Sequence, residues 1–444
     1  MSNFNTPADQ VHSKLREWML VDGLEVVYDT ERSRGSRFVD ARNGDEYIDL
    51  FSFFASMPVG HNHPGLEDSD FRARLLDAAL VKPSNSDIYT AAMADFVSTF
   101  GRTMPEGFHN LFFIEGGALA VENALKVAFD WKVRKNIEKG LLSGEGDPDL
   151  GTKALHFQNA FHGRSGYTLS LTNGTSPNKT KYFPKFPWPR VSSPGARFPL
   201  RGDNLAATEA AEKATLAEIH EAIAANPNDI GAIILEPIQG EGGDVHFRPE
   251  FLKALRDICD NEDILLIFDE VQTGMGLTGT WWAFEQLGVR PDVFSFGKKA
   301  QVCGIAASER VNEVDSCFKV SSRINSTWGG NLVDMVRCAR YVELIERDDL
   351  LKNAQEIGKH LLEALQGMES DFEAVSNSRG RGLMLAFDLP SADARDALIK
   401  ALWDAKTIVL PCGSTSVRFR PFLDVTRDDA DEAASRIRAA LKTL

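Results

Sequence analysis

Residues 264–299 read ILLIFDEVQTGMGLTGTWWAFEQLGVRPDVFSFGKK, and the fold follows from this stretch. Two short apolar runs, 264–268 and 293–296, stand one connection apart and are bounded by turn residues, so each predicts a buried strand. The first ends at Asp269, the second at Lys298-Lys299. Working outward, the runs 111–114, 154–157 and 232–235 repeat the pattern. Helical patterns such as ALAVENALKVAFDWKVRKN and RPEFLKALRDICDNED lie between them, the second with Pro249 in its first turn. Such alternation predicts right-handed crossovers and an α/β fold, with a mainly parallel sheet covered by helices on both faces.

Beyond this region the texture changes. A polar, Pro-rich stretch from Thr172 to Pro199 is too long for an ordinary connection and reads as a functional loop or a surface excursion. After Gly330 one long helical pattern precedes the strand GLMLAFDLP, the helix ARDALIKALWDA, the strand SVRFRPF and a terminal amphipathic helix, which predicts a second, smaller α+β unit. Near the amino terminus Asn43, Gly44 and Asp45 read as a hairpin turn between SRFVDA and a short strand.

Composition excludes several classes. The 444 residues are 43% hydrophobic and 25% charged, with no apolar run long enough to span a bilayer, so a folded globular chain without a membrane partner is expected. A formal net charge of −15 works against nucleic-acid binding, which needs a Lys/Arg surface. Five cysteines without a CxxC pair suggest reduced thiols, and no export signal is apparent in MSNFNTPADQVHSKLREWML, so the cytoplasm is the expected compartment. No metal site is expected.

Three features carry chemistry. Glu115-Gly116-Gly117-Ala118 joins a strand to a helix, where backbone N–H groups can hold a phosphate. It reads equally as a tight turn, and the dinucleotide fingerprint GxGxxG is absent. Asp269 stands beyond the carboxyl end of a strand, where α/β ligands bind, or serves as a cap. Lys298-Lys299 end the next strand; an amine there is either solvated or, if buried, lowered in pKa and nucleophilic. Together a phosphate cradle, a carboxylate and a lysine match the phosphate, ring nitrogen and aldehyde of pyridoxal 5'-phosphate. Phe161, at another strand end, can stack on the ring or fill the core.

The ordered motifs EGGALAVENALKVA, FHGRSGYTLS, LEPIQGEGG, IFDEVQTGMGLTG, DVFSFGKKAQVCG and NSTWGGN, with GHNHPGL and VRFRPFL, resemble the class III, fold type I aminotransferases over most of the chain. The resemblance implies an amino-terminal segment over 1–65 that joins the small domain, a large cofactor domain over 66–325 and a small carboxy-terminal domain over 326–444. It also implies pyridoxal 5'-phosphate as cofactor. By its spacing to Gly304, Lys299 is expected to form the Schiff base; Asp269 would meet the ring nitrogen, Gln272 the ring hydroxyl and Phe161 the ring face. Gly117 and Ala118 would cradle the phosphate. Thr327 would reach the phosphate of the other subunit, which implies a homodimer with shared sites. Ala118 stands where many relatives carry a hydroxyl, which costs about one hydrogen bond, on the order of 1 kcal/mol. Leu277 stands where many have Arg.

Within the class, GKKAQVCG, INSTWGGN, MLVDGLEVVYD and KPSNSD are similar to members acting on the ε-amine of L-lysine, with ornithine and 4-aminobutyrate as alternative donors and 2-oxoglutarate as acceptor. Arg164 and Arg418 are the implied carboxylate clamps, because a guanidinium fork matches a carboxylate. Arg164 would take the far carboxylate of either substrate and Arg418 the α-carboxylate of the dicarboxylic one. Glu241 would pair with Arg418 while lysine is bound.

Overall fold

The computed structural model describes residues 5–146 and 148–444, so the first four residues of the stretch read for an export signal lie outside the described residues. All five expected strands of the large sheet form. The sheet has seven strands, in the order Asn110–Ile114, Cys303–Ala307, Val293–Phe296, Leu265–Asp269, Ile230–Leu235, Lys153–Phe157 and Arg190–Val191. Every neighbouring pair is parallel except those of Cys303–Ala307, which runs against both its partners. Two strands were therefore missing from the sequence reading: this short Cys-Gly-Ile-Ala-Ala segment and the two-residue edge within the 172–199 excursion.

Alternation along a strand sorts its side chains between two cores. Leu265 and Ile267 face the layer of the long helix Gly117–Glu138, which also buries Val121, Ala124 and Leu125. Leu266 and Phe268 face the other layer, with Phe251 and Leu255 of helix Pro249–Asn261. By the same parity Asp269 emerges on the side of helix Gly117–Glu138, at the carboxyl end of the sheet.

The smaller unit is a four-stranded antiparallel sheet, Ser376–Arg381, Met384–Asp388, Ser416–Phe419 and Leu410–Cys412, with helices Leu350–Asp371, Ala392–Asp404 and Arg427–Leu441. The amino-terminal hairpin forms as read: Arg37–Val39 pairs antiparallel with Glu46–Asp49 around Gly44 at φ 81°. Glu46–Asp49 then takes Thr407–Ile408 as a parallel neighbour, which ties the amino-terminal segment to the carboxy-terminal unit. The long helical pattern after Gly330 is two helices, Leu332–Arg347 and Leu350–Asp371, separated by Asp349 in the left-handed region. The first contributes Leu332, Met335 and Cys338 to the large core and Tyr341, Leu344 and Ile345 to the small one. No helix among the described residues is long and apolar enough to cross a membrane. All five cysteines are free and buried.

Candidate active site

A cavity of about 290 Å³ opens at the carboxyl end of the large sheet, lined among others by Gly117, Ala118, Phe161, Asp269, Gln272 and Lys298. One wall is the start of helix Gly117–Glu138. Its cap residue Gly116 has φ 95° and supplies no side-chain cap, so the first-turn N–H groups are open to an anion. A Cβ on Gly117 would lie 2.9 Å from Val271 Cγ1, so only glycine lets the backbone come this close to the neighbouring loop.

Asp269 is held on three sides. Ser295 Oγ, one strand over in register, donates to Oδ1 at 2.9 Å; Val271 N donates to the same oxygen at 3.1 Å; His162 Nδ1 lies 2.8 Å from Oδ2. Burial works against the charged form of His162, yet the Asp269 carboxylate raises its pKa above the ordinary value. Its Nε2 is buried and has no hydrogen-bond partner among the described residues. Glu236 is buried beside this pair, accepting from Phe161 N at 2.9 Å and Gly240 N at 3.0 Å. Burial, partly opposed by His162, pushes its pKa up to about 7. The sequence reading passed over His162 and Glu236. Their signals were adjacency to Phe161 and the Glu-Pro step that closes strand Ile230–Leu235.

The lysine assignment is corrected. Lys298 lines the cavity, whereas Lys299 is 1% exposed and its Nζ donates to Ala55 O at 2.8 Å. Lys298, at φ 46°, breaks the strand alternation at the start of the single turn Lys298–Ala300. The side chain that reaches the cavity is therefore the first lysine. Loss of hydration holds the Lys298 pKa below the ordinary lysine value, with the Asp269 charge pulling the other way.

At the opposite wall Glu241 Oε2 accepts from Arg418 Nη2 at 3.1 Å, and Glu241 Oε1 pairs with Lys179 of the 172–199 excursion. Arg418 is 5% exposed and its Nε is unpartnered. Gln272 Oε1 accepts from Arg420 at 3.2 Å, and Arg420 is also paired with the buried Asp244. Arg164 is exposed, its guanidinium 5.9 Å from the centre of the Phe161 ring. Thr327 is exposed and does not line this cavity. Its carbonyl accepts from Ser84 Oγ at 2.6 Å, so NSTWGG is packed on KPSNSD. Leu277 is buried in the smaller core.

An open helix start, a fixed carboxylate and an amine of lowered pKa around one cavity fit pyridoxal 5'-phosphate. His162 Nε2, without a partner among the described residues, leaves a polar atom in the cavity wall for a bound group to meet.

A family model described as aminotransferase class-III matches residues 20–441. A protein named L-lysine-epsilon aminotransferase from Mycobacterium tuberculosis is 54% identical over 440 residues, covering 98% of this chain and 96% of the relative. A solved lysine aminotransferase of M. tuberculosis, in the internal aldimine form, superposes with a TM-score of 0.95 at 53% identity, over 99% of this chain and 100% of the other. A human mitochondrial 4-aminobutyrate aminotransferase is 30% identical, with 95% of this chain and 86% of the relative covered.

Proposed function

The chain belongs to the class III aminotransferases, and on that premise we propose that it transfers the ε-amino group of L-lysine to 2-oxoglutarate, yielding 2-aminoadipate 6-semialdehyde and L-glutamate with pyridoxal 5'-phosphate as cofactor. The observation that carries this reading is the Glu241–Arg418 pair. A donor that enters through a side-chain amine brings no anion to that wall, and there the guanidinium is already neutralised. A dicarboxylic substrate does bring one, and Arg418 accepts it once Glu241 withdraws. One pocket thus serves two half-reactions with substrates of opposite charge pattern.

When bound, the cofactor supplies an electron sink for the charge left by proton removal. The chain does the rest. Asp269, fixed by Ser295, Val271 and His162, presents a carboxylate to a protonated ring nitrogen. Gly117 and Ala118 would hold the phosphate through their N–H groups, Phe161 would face the ring and Gln272 its hydroxyl. Lys298 would hold the cofactor covalently; released as a neutral amine, its Nζ would take the proton from the amine-bearing carbon of the substrate and hand it to the cofactor rather than back to that carbon, which is what moves the amino group. Arg164 orients the far carboxylate from the mouth.

Thr327 serves the site of a second copy, so the enzyme is a homodimer. Its exposure and its absence from the lining of the cavity support this. Five free buried thiols support a reducing cytoplasmic setting. The test of the donor is a screen with 2-oxoglutarate, reading glutamate formed from lysine, ornithine, 4-aminobutyrate and acetylornithine. Lysine is expected to give the largest kcat/KM, and a larger value for ornithine or 4-aminobutyrate would move the assignment within the family.

A further inference from the structure

We propose that Lys179 is a positioning residue of the substrate switch, the cation that keeps Glu241 when a dicarboxylic substrate takes Arg418. The proposal rests on reading Glu241–Arg418 as that switch.

The turn that carries Glu241 is fixed at its backbone. Gly413 N donates to Glu241 O at 2.8 Å, Gly240 N donates to Glu236 at 3.0 Å, and Arg379 Nε donates to Asp244 O at 2.9 Å. Withdrawal from Arg418 is therefore a rotation of the Glu241 side chain, and its destination must lie within reach of that side chain. The two carboxylate oxygens already hold different cations, Oε2 on Arg418 and Oε1 on Lys179. These cations differ in depth. Arg418 is nearly buried, whereas the Lys179 and Glu241 side chains are each 29% exposed.

A carboxylate leaving a buried guanidinium pays for lost pairing unless another cation receives it. Lys179 stands on the outer side, where Glu241 can swing toward it without leaving the wall. Burial alone would raise the Glu241 pKa, but Arg418 and Lys179 together hold it below the ordinary carboxylate value. The carboxylate that moves is therefore charged and needs a partner at both ends of its path. Lys179 is placed by the short turn Pro177–Lys179, and Thr175 Oγ1 donates to Gly413 O at 3.3 Å, the same Gly413 whose N–H holds the Glu241 carbonyl. The excursion 172–199 thus has a task at the site: it delivers one ammonium to one carboxylate.

The experiment uses the holoenzyme with Lys179→Met, Lys179→Arg, Glu241→Ala and the Glu241→Ala/Lys179→Met double variant. Stopped-flow reads each half-reaction, and titration calorimetry reads the affinity for glutarate, an unreactive dicarboxylate. In Lys179→Met the glutarate Kd is expected to rise about tenfold, and the glutamate half-reaction to slow about as much, while the lysine half-reaction loses less than about threefold. Lys179→Arg should restore the glutarate Kd. In the Glu241→Ala background the Lys179→Met change should have no further effect, because no carboxylate remains to be received. Equal losses in both half-reactions would show that Lys179 only holds the loop, and a loss that persists without Glu241 would show that it meets the dicarboxylate itself; either overturns the proposal. Failure of the underlying switch has its own signature, equal damage to both half-reactions by Glu241→Ala alone.

Discussion

Two adjacent lysines with depressed pKa values stand in different surroundings, and those surroundings suit each nitrogen to a different task. Desolvation lowers both; at Lys298 the Asp269 carboxylate opposes it, while at Lys299 the charges of Arg420 and Lys298 add to it and take the pKa well below the ordinary value. Lys299 instead secures the turn Ser52–Ala55, four consecutive residues with φ between 41° and 63°, through the Ala55 carbonyl. Left-handed backbone costs roughly 1–2 kcal/mol per non-glycine residue, so such a turn persists only where its surroundings hold it. The expected outcome is that Lys298→Ala loses turnover and the borohydride-fixed cofactor, whereas Lys299→Met still tethers it. Peptide mass spectrometry of the reduced enzyme checks this, and an adduct on Lys299 would reverse the assignment. The pair of lysines at the strand end was legible in the sequence, but which one faces the cavity was not. Alternation of side chains holds only while the chain stays extended, and left-handed Lys298 ends it one residue before Lys299.

Mainly apolar runs of four or more residues announced themselves because burial on both faces favours nonpolar side chains. The elements that escaped were those whose pairing, rather than composition, makes them strands: Cys303–Ala307, inserted antiparallel between two neighbours, and Arg190–Val191 at the edge. The Glu241 turn belongs to this group, since nothing in IQGEGG says that Gly413, far along the chain, will lie against it. Gly413 has φ 54°, and a Cβ there would lie 2.9 Å from Gly243 Cα and 3.0 Å from Gly242 O. Both contacts are to backbone that cannot rotate away. Gly413→Ala is therefore expected to cost stability by about 1–3 kcal/mol, from left-handed strain and crowding. It should also raise the KM for 2-oxoglutarate more than that for lysine, because it displaces the support of Glu241. Urea unfolding and steady-state kinetics measure the two effects, and unchanged midpoints would show that the turn yields.

At the scale of the molecule, buried histidines weaken the fold toward acid. His156 and His246 lie 1% and 6% exposed, and burial first, then neighbouring arginines, lowers both pKa values to about 3. The unfolded chain binds their protons near pH 6.5. Between those values the unfolded state carries more protons, so stability is complete above about pH 6.5 and is lost as pH falls toward 3, by roughly 1.4 kcal/mol per pH unit for each histidine. Replacing His246 by Gln should remove about 2 kcal/mol of the difference in unfolding free energy between pH 7 and pH 5, and an unaltered pH slope would show that His246 is protonated in the fold. The second whole-molecule question is which protomer Thr327 serves. Its segment is held by Ser84 and Ser86, and Lys82 lies 3.8 Å over the Trp328 ring, so the NSTWGG and KPSNSD motifs pack on each other, and neither lines the cavity. If that patch completes the phosphate site of the other copy, Thr327→Asp places a carboxylate against the partner's cofactor, and homodimers of the variant should lose it. Homodimers of Lys298→Ala should be inactive for the separate reason given above. Mixing the two variants under conditions that exchange subunits then creates heterodimers in which one site has both lesions and the other has neither. With random exchange half of the dimers are mixed, so activity should return to about a quarter of the wild-type value. Activity that stays at zero after exchange, with heterodimers verified by native mass spectrometry, would place Thr327 in the service of its own protomer.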